Sequence, residues 1–293
     1  MAARMAARLV GLAMLLLLLD LAYTPRAHRR QVQALVTNRP GITSYMHMAA
    51  EMGHPVRSRR WVPLADVSPV AACAVVLAED ERFFGKGTVS WMEQRMLMRR
   101  MLQGDFTRGG SGISQQLARN LFLSADRTPR RKAREYLLAH ELSRTLSKER
   151  QLELYLNVVE WGDGVWGIEA ASRHYFGVPA SALTPAQGAV LATLLPAPRR
   201  ELQFALGAEP ARRQEGIARK LWRARLLSTD GYHATVDRIR EWRRQLRLTG
   251  DARTAWLRVE GLMGPEAASF TASAWSKGAL PIARLCDGGR RGV

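Results

Sequence analysis

Three acidic residues follow one another at the end of an apolar run. Glu79, Asp80 and Glu81 stand in the stretch AEDERFFGKGTVSW, directly after PVAACAVVL and directly before two phenylalanines. The run predicts a buried helix, whose C-terminal end carries partial negative charge, and adjacent acids repel one another. Both effects disfavour ionisation, which suits a general acid or base that works near neutral pH. The alternative is a frayed helix end with exposed acids that pair with Arg82.

A second group of polar residues comes from two successive predicted helices and the segment between them. Cations and amides at these positions could converge on a phosphate or pyrophosphate. Two alternatives to phosphate binding are a basic pair of helices with solvated faces, and a structural pairing of Arg131 and Lys132 with Glu135. Nucleic acid would also use such a cluster, but interleaved aromatic residues are lacking, so we expect no nucleic-acid partner. The residues are Ser111, Gln115, Gln116, Arg119, Arg127, Arg131 and Lys132.

Several other chemistries are not encoded. The chain has no HExxH, P-loop or GxSxG motif and no Ser-x-x-Lys pair, so the penicillin-binding type of serine acyltransferase is excluded. Its two cysteines, Cys73 and Cys286, form no metal-binding spacing, and we expect no metal-ligating protein residues. Cys73 lies in the apolar run and is expected to be a small core residue. A disulfide between Cys73 and Cys286 is an open alternative.

The elements that must position these residues are predicted to be helices, since no stretch alternates with the period of a strand. Ser68 and Pro69 begin the apolar helix, and a Met-rich amphipathic helix follows in SWMEQRMLMRRMLQGDF. A glycine turn leads into a helix over 111–123. Further helix limits are predicted at Thr128, Ser147, Gly177 and the Thr184–Gln187 capping box, with basic helices over 209–228 and 234–247 and no clear pattern after Gly250.

Charge and the N-terminus indicate where the chain works. The 293 residues carry 44 basic and 26 acidic side chains, a net charge of +18, which favours a polyanionic partner. An uninterrupted apolar run covers Leu9 to Leu19 after Arg4 and Arg8, and ends at Asp20. Residues 5–23 could just cross a bilayer with snorkelling arginines. We therefore expect an uncleaved signal-anchor over a cleaved signal peptide, and export of the remaining chain.

Read in order, these segments resemble glycosyltransferase family 51, the peptidoglycan glycosyltransferases, and most closely its monofunctional biosynthetic transglycosylases. EDERFF is similar to the family's first motif, and GGSGISQQLARNLFL to its second. RKAREYLLAHELSRTLSKERQLELYLN resembles the third and fourth motifs, and VVEWGDGVWGIEAASRHYFG the fifth. The resemblance covers residues 67 to 200. It departs at Lys86 and Thr88, where the family has His and Gly, and at Gly112, where it has Thr.

The resemblance implies a mainly α, lysozyme-like fold with a small membrane-proximal jaw subdomain, preceded by one transmembrane helix. It implies polymerisation of lipid II into β-1,4-linked glycan strands, with release of undecaprenyl pyrophosphate. Glu79 would be the general base on the acceptor 4-hydroxyl, and Glu135 the second acid near the donor pyrophosphate, with a divalent cation such as Mg²⁺ or Mn²⁺. Asp80 and the polar group named above would bind the substrate: Ser111, Gln115, Gln116, Arg119, Arg127, Arg131 and Lys132.

The implied organisation has four parts. Residues 1–24 are the signal-anchor, 25–66 a polar linker, 67–205 the peptidoglycan glycosyltransferase domain, and 206–293 a basic helical C-terminal extension. We expect a single-pass protein of the bacterial inner membrane with its catalytic domain on the periplasmic side. The expected partners are lipid II, the growing glycan chain, the membrane, and other wall-synthesis or division proteins. The alternatives are an inactive or weakened membrane-anchored scaffold and a lysozyme-like glycan-cleaving enzyme.

Overall fold

The computed structural model describes residues 2–85, 95, 111–124, 126, 128–200, 205–266 and 282–286. These residues belong to two compact units. The first, unit 1, takes its residues from Met1–Met48 and Gly87–Ser147, and the second, unit 2, from Ala49–Lys86 and Lys148–Val293. The Met-rich segment, Lys86, Thr88 and Arg127 lie outside the described residues, apart from Arg95, which is helical.

Unit 1 is built on a long N-terminal helix, α1 (Ala2–Ala34), with α4 (Ile113–Phe122) and α5 (Pro129–Thr145). Helix α2 (Ser44–Glu51) begins in this unit, where the Ser44 hydroxyl donates to the Leu121 carbonyl at 3.1 Å. Helix α5 packs against α1 and α4. Thr128 begins α5 as predicted, since its side chain accepts from the Arg131 N–H and Pro129 takes the first helical position.

Helix α1 has the only sequence of membrane-spanning length and hydropathy among the described residues. Its stretch Arg8–Ala34 reaches a mean hydropathy of 1.6. Large apolar side chains in its first half are exposed, namely Leu9, Val10, Leu12, Met14, Leu15, Leu16, Leu17 and Leu19. The helix continues through Pro25 to Ala34, beyond the predicted end at residue 24. The predicted linker, residues 25–66, therefore contains the end of α1 and helix α2.

The two sides of α5 have different partners. Arg130 and Arg134 are four residues apart and both bind Asp20 of α1, with Nε to Oδ2 distances of 2.9 and 3.0 Å. A second Arg134 donor binds the other Asp20 oxygen. Arg131, Lys132 and Glu135 contact other residues, described below. The N-terminal helix is therefore bonded to the helix that carries two of the four predicted phosphate-binding cations, Arg131 and Lys132.

Unit 2 surrounds a nearly all-apolar helix. Helix α3 (Pro69–Glu79) buries every residue from Val70 to Leu77, as its apolar sequence predicts. It packs against α8 (Pro185–Leu194), α9 (Ala208–Arg223) and α12 (Ile282–Cys286). At the contact with α8, a side chain on Gly188 would come within 2.8 Å of the Ala71 Cα atom, so glycine permits the close approach. The predicted capping box of Thr184 and Gln187 begins α8.

The remaining helices of unit 2 extend the core toward the C-terminus. They are α6 (Lys148–Val158), α7 (Ile168–Phe176), α10 (Thr229–Thr249) and α11 (Ala252–Met263). Gly177 ends α7 with φ of 76°, as predicted. Asp251 begins α11 by accepting from the Thr254 N–H at 2.7 Å, so the expectation of no pattern after Gly250 was wrong.

A small sheet and a disulfide complete unit 2. Strands β1 (Ser58–Arg59), β2 (Glu160–Gly162) and β3 (Val165–Trp166) lie in the order β1-β3-β2, parallel and then antiparallel. They are too short to show alternation in the sequence. Cys73 is buried as expected, but it is also bonded to Cys286, and the bond fastens α12 to α3.

Candidate active site

The acidic segment lies where α3 ends. Glu79 is the last residue of the helix, and Asp80 closes it with its N–H donating to the Val76 carbonyl. The Phe83 N–H then donates to the Asp80 carbonyl at 2.8 Å, which turns the chain. The Phe83 ring is buried, meets Phe84 edge to face, and lies 4.6 Å from the Lys148 ammonium nitrogen. The phenylalanines after the acids thus fix the turn into the core and hold the helix end in place.

Glu79 is not a frayed or solvated acid. Its side chain is 11% exposed, and its Oε1 accepts from the Arg213 guanidinium of α9 at 2.6 Å. Lys220, on the same helix, donates to the Leu77 carbonyl at 2.7 Å and lies 3.3 Å from Glu81. Sequence reasoning missed both cations because it treated α9 as part of a separate extension. Their spacing of seven residues, two helical turns, was the available signal.

The second predicted acid lies in unit 1 within a cluster of cations. Glu135 is 1% exposed, and its Oε2 accepts from Arg131 at 2.5 Å. Its Oε1 binds the Lys132 ammonium and lies 3.4 Å from the Ser111 hydroxyl oxygen. Lys132 also donates to Gln115 Oε1 at 3.1 Å and to Ser111. Four of the residues predicted to bind pyrophosphate therefore meet around Glu135: Ser111, Gln115, Arg131 and Lys132.

Some hydrogen-bond donors of this cation cluster have no acceptor among the described residues. The Nε atoms of Arg119 and Arg131 are buried without a hydrogen-bond partner. Burial lowers the pKa of Lys132, while Glu135 acts in the opposite direction and the charges of Arg131 and Arg119 add to the effect of burial. Arg131 and Lys132 thus pair with one carboxylate, and Arg119 adds a third positive charge close to Lys132, so the described residues of the cluster carry a net positive charge. A buried donor without a partner costs free energy, so this arrangement favours an anionic ligand with several acceptor oxygens.

The other predicted site residues have different positions. Gln116 supports Ser111 by donating to its carbonyl at 3.0 Å, and Gly112 begins α4 through its backbone alone. Glu79 and Asp80 belong to unit 2, and Arg127 lies outside the described residues. The assignment of catalytic and binding roles to these residues stays a prediction.

The described side chains of the candidate site do not form a metal site made of protein ligands alone. Among the described parts of the chain, no group of three or more His, Cys, Asp and Glu side chains could hold a metal ion. Both oxygens of Glu135 already accept from cations. The divalent cation implied by the resemblance stays a prediction, and no chemical step below depends on it.

Comparison with known proteins identifies the family. The family model described as Transglycosylase matches residues 46–221, more than half of the chain. The chain belongs to the transglycosylase family. This transglycosylase match begins within α2 and ends within α9, so it takes in Arg213 and Lys220. It also extends past both predicted limits of the 67–205 domain. Membership agrees with the predominantly helical structure and confirms the expected lysozyme-like class.

Named relatives share a large part of this transglycosylase. A biosynthetic peptidoglycan transglycosylase of Rhizobium etli is 50% identical over 140 residues, covering 48% of this chain and 60% of the relative. Proteins of the same name from Nitrosomonas europaea and Laribacter hongkongensis are 43% and 45% identical over 175 and 168 residues. These matches cover 59% and 55% of this chain and 70% and 74% of the two relatives. The chain thus spans about three fifths of the length of the first relative.

Proposed function

We propose that this transglycosylase polymerises lipid II into β-1,4-linked glycan strands and releases undecaprenyl pyrophosphate. The observation that carries the proposal is the cation cluster around Glu135, with its surplus positive charge and its two buried guanidinium nitrogens without partners. The relatives' name, biosynthetic peptidoglycan transglycosylase, supports the same substrate class.

The departure of the pyrophosphate is the step that these cations serve. When the bond between the donor sugar and the pyrophosphate breaks, negative charge develops on the leaving oxygen. Arg131 and Lys132 are already held by Glu135, so they can stabilise that charge without being ordered during the reaction. Arg119, whose Nε atom is buried, adds a third charge. In this proposal, Glu135 orients the cations and keeps them from repelling one another.

Glu79 is the proposed general base. The acceptor 4-hydroxyl is a poor nucleophile, and it attacks C1 of the donor as its proton passes to a carboxylate. Attack opposite the leaving pyrophosphate inverts the α-linked phosphate to a β-1,4 glycosidic bond. The Glu79 side chain is mostly buried, and the Arg213 guanidinium binds its carboxylate at 2.6 Å.

The test is polymerisation by the purified full chain in detergent with lipid II. The unaltered protein should give glycan chains, and Glu79→Gln should lower the rate by a factor of about 10² to 10⁴, the usual contribution of a general base. Glu81→Gln is the matched control in the same segment and should retain most of the activity. Undiminished polymerisation in Glu79→Gln would contradict the assignment of the base.

The same assay separates the alternatives. A lysozyme-like enzyme would release muropeptides from finished peptidoglycan and would not lengthen glycan chains. An inactive scaffold would bind lipid II without turnover. Either result with the unaltered protein would refute the proposed polymerase activity.

We further propose that α1 anchors the chain in the inner membrane with the catalytic residues on the periplasmic side. The exposed apolar surface of α1 supports a membrane anchor. This arrangement places the cations near a substrate whose lipid remains in the bilayer. The growing strand, other wall-synthesis or division proteins, and a divalent cation at the pyrophosphate remain proposed partners. Alkaline phosphatase fused after residue 286 should be active if the topology is as proposed.

A further inference from the structure

Helix α9 presents two cations to the C-terminal end of α3. Arg213 and Lys220 are seven residues apart, so they lie on one side of the helix, two turns from each other. Ile217 and Leu221 are buried nearby and hold that side against the core. Arg212 and Arg219 are exposed on the same helix. The sequence therefore separates two contacting cations from two solvated ones within one element.

The contacts of these two cations are different in kind. Lys220 donates to the Leu77 carbonyl, one of the last four of α3, which have no donor within the helix. It thereby stabilises the helix end. Arg213 binds the carboxylate of Glu79 itself, with the nitrogen and oxygen 2.6 Å apart. Arg213 is 31% exposed and Glu79 11% exposed, so the pair is screened less than a surface ion pair.

Among the described residues, the other charged groups on the elements that pack against α3 have different positions or different partners. Helix α8 packs on α3 but has no titratable side chain, and the Arg284 side chain of α12 is exposed. Asp80 and Glu81 follow in the same segment and carry charge of the same sign. Lys220 contacts Glu81, not Glu79, in the ion pairs described. Arg213 is therefore the cation in these contacts that acts directly on Glu79.

We propose that Arg213 is a positioning residue for the general base. The inference rests on the proposed function and deepens it. A guanidinium stays protonated at every pH at which the enzyme would work and accepts no hydrogen bond, so it cannot take the substrate proton. It holds the Glu79 carboxylate in one orientation through the 2.6 Å contact. Because α9 lies far along the chain from the acidic motif, the base is completed by a helix outside the motifs that resemble the family.

The experiment compares three variants of the full chain in the lipid II polymerisation assay. Arg213→Gln removes the charge, Arg213→Lys keeps it, and Arg219→Gln is the matched control on the same helix. We expect Arg213→Gln to lower kcat about tenfold or more, equivalent to about 1.4 kcal/mol, with KM for lipid II within about twofold. Arg213→Lys should restore part of kcat, because it keeps a cation that can bind the Glu79 carboxylate.

Two results would overturn the inference. One is an unchanged kcat in Arg213→Gln. The other is a raised KM with an unchanged kcat, which would mean that Arg213 contacts the substrate. The thermal unfolding midpoint of each variant shows whether the substitution has caused a folding defect. A low kcat that Arg213→Lys does not restore also counts against a positioning role. If the unaltered protein is inactive, the proposed function itself is refuted. If the unaltered protein is active and Arg213→Gln has the same kcat, only the positioning role is refuted.

Discussion

Replacing Glu135 by glutamine should have opposite effects on stability and on pyrophosphate binding. The substitution keeps the shape of the side chain and removes the only carboxylate that the described contacts place among Arg119, Arg131 and Lys132. The remaining cations would repel one another in a poorly hydrated position. A multivalent anion should then replace the missing negative charge.

The size of the stability loss follows from burial. The Glu135 side chain is 1% exposed, and those of Arg131 and Lys132 are 15% and 17% exposed. Breaking a buried ion pair by removing one partner costs about 3–5 kcal/mol. The amide oxygen still accepts one hydrogen bond, so we take the lower figure, about 3 kcal/mol. At about 2 °C per kcal/mol for a chain of this length, the unfolding midpoint should fall by about 6 °C.

The assay is thermal unfolding of the purified chain in detergent, with and without inorganic pyrophosphate. Without pyrophosphate, Glu135→Gln should unfold at the lower temperature, and Glu141→Gln on the same helix should stay within about 1 °C of the original, as surface changes usually do. Added pyrophosphate should raise the midpoint more in Glu135→Gln than in the original protein. An unchanged midpoint in Glu135→Gln, or a smaller response to pyrophosphate, would refute this account of the cluster.

Two further predictions concern unit 2. Cys286→Ser should lower the free energy of unfolding by about 2–5 kcal/mol, because the bond to Cys73 closes a loop with a sequence separation of 213 residues. A reducing agent should destabilise the original protein to the same extent and leave this variant unaffected; equal stability in oxidised and reduced forms would contradict it. Burial raises the pKa of Glu160 above its ordinary 4.5 despite the opposing charge of Arg199, so the folded chain keeps a proton that the unfolded chain has lost. Stability should therefore fall as the pH rises through the range just above 4.5. Unfolding midpoints measured from about pH 4 to 6 should depend less steeply on pH in Glu160→Gln than in the original protein. An equally steep dependence in the variant would exclude Glu160 as its source.

Helices with strong local signals could be predicted from the sequence. The apolar run after Ser68, the Thr128–Pro129 start and the Thr184–Gln187 capping box each act within one turn, so neighbouring residues suffice to define them. The strands were missed because each has two or three residues and depends on pairing with distant segments. The continuation of α1 through Pro25 was missed since proline usually ends a helix, whereas here α1 packs along α5.

The candidate site was predicted in part. Pairing of Arg131 and Lys132 with Glu135 was one of the alternatives, because helical spacing brings these three residues close together. Ser111 and Gln115 were expected to converge with the cations on a phosphate, and their contacts with Lys132 and Glu135 depend on the packing of α4 against α5. The partner of Glu79 could not be found in this way. Arg213 lies 134 positions further along the chain, and only the packing of α9 on α3 brings the two together.

Continuity of the N-terminal helix has a mechanical consequence. At about 1.5 Å per residue, its 33 residues span about 50 Å. The uninterrupted apolar run from Leu9 to Leu19 is shorter than the roughly 20 residues that cross a bilayer at full thickness. Such a helix adapts by thinning the bilayer locally or by letting the Arg4 and Arg8 side chains reach toward the headgroups.

Asp20 couples the position of α1 to that of α5. It stands directly after the apolar run and is bonded to Arg130 and Arg134 on α5. Any change in the tilt or depth of α1 therefore moves the helix that also carries Arg131 and Lys132. In a membrane-anchored chain, the thickness of the surrounding bilayer would therefore affect the position of the cations that we propose to stabilise the leaving group.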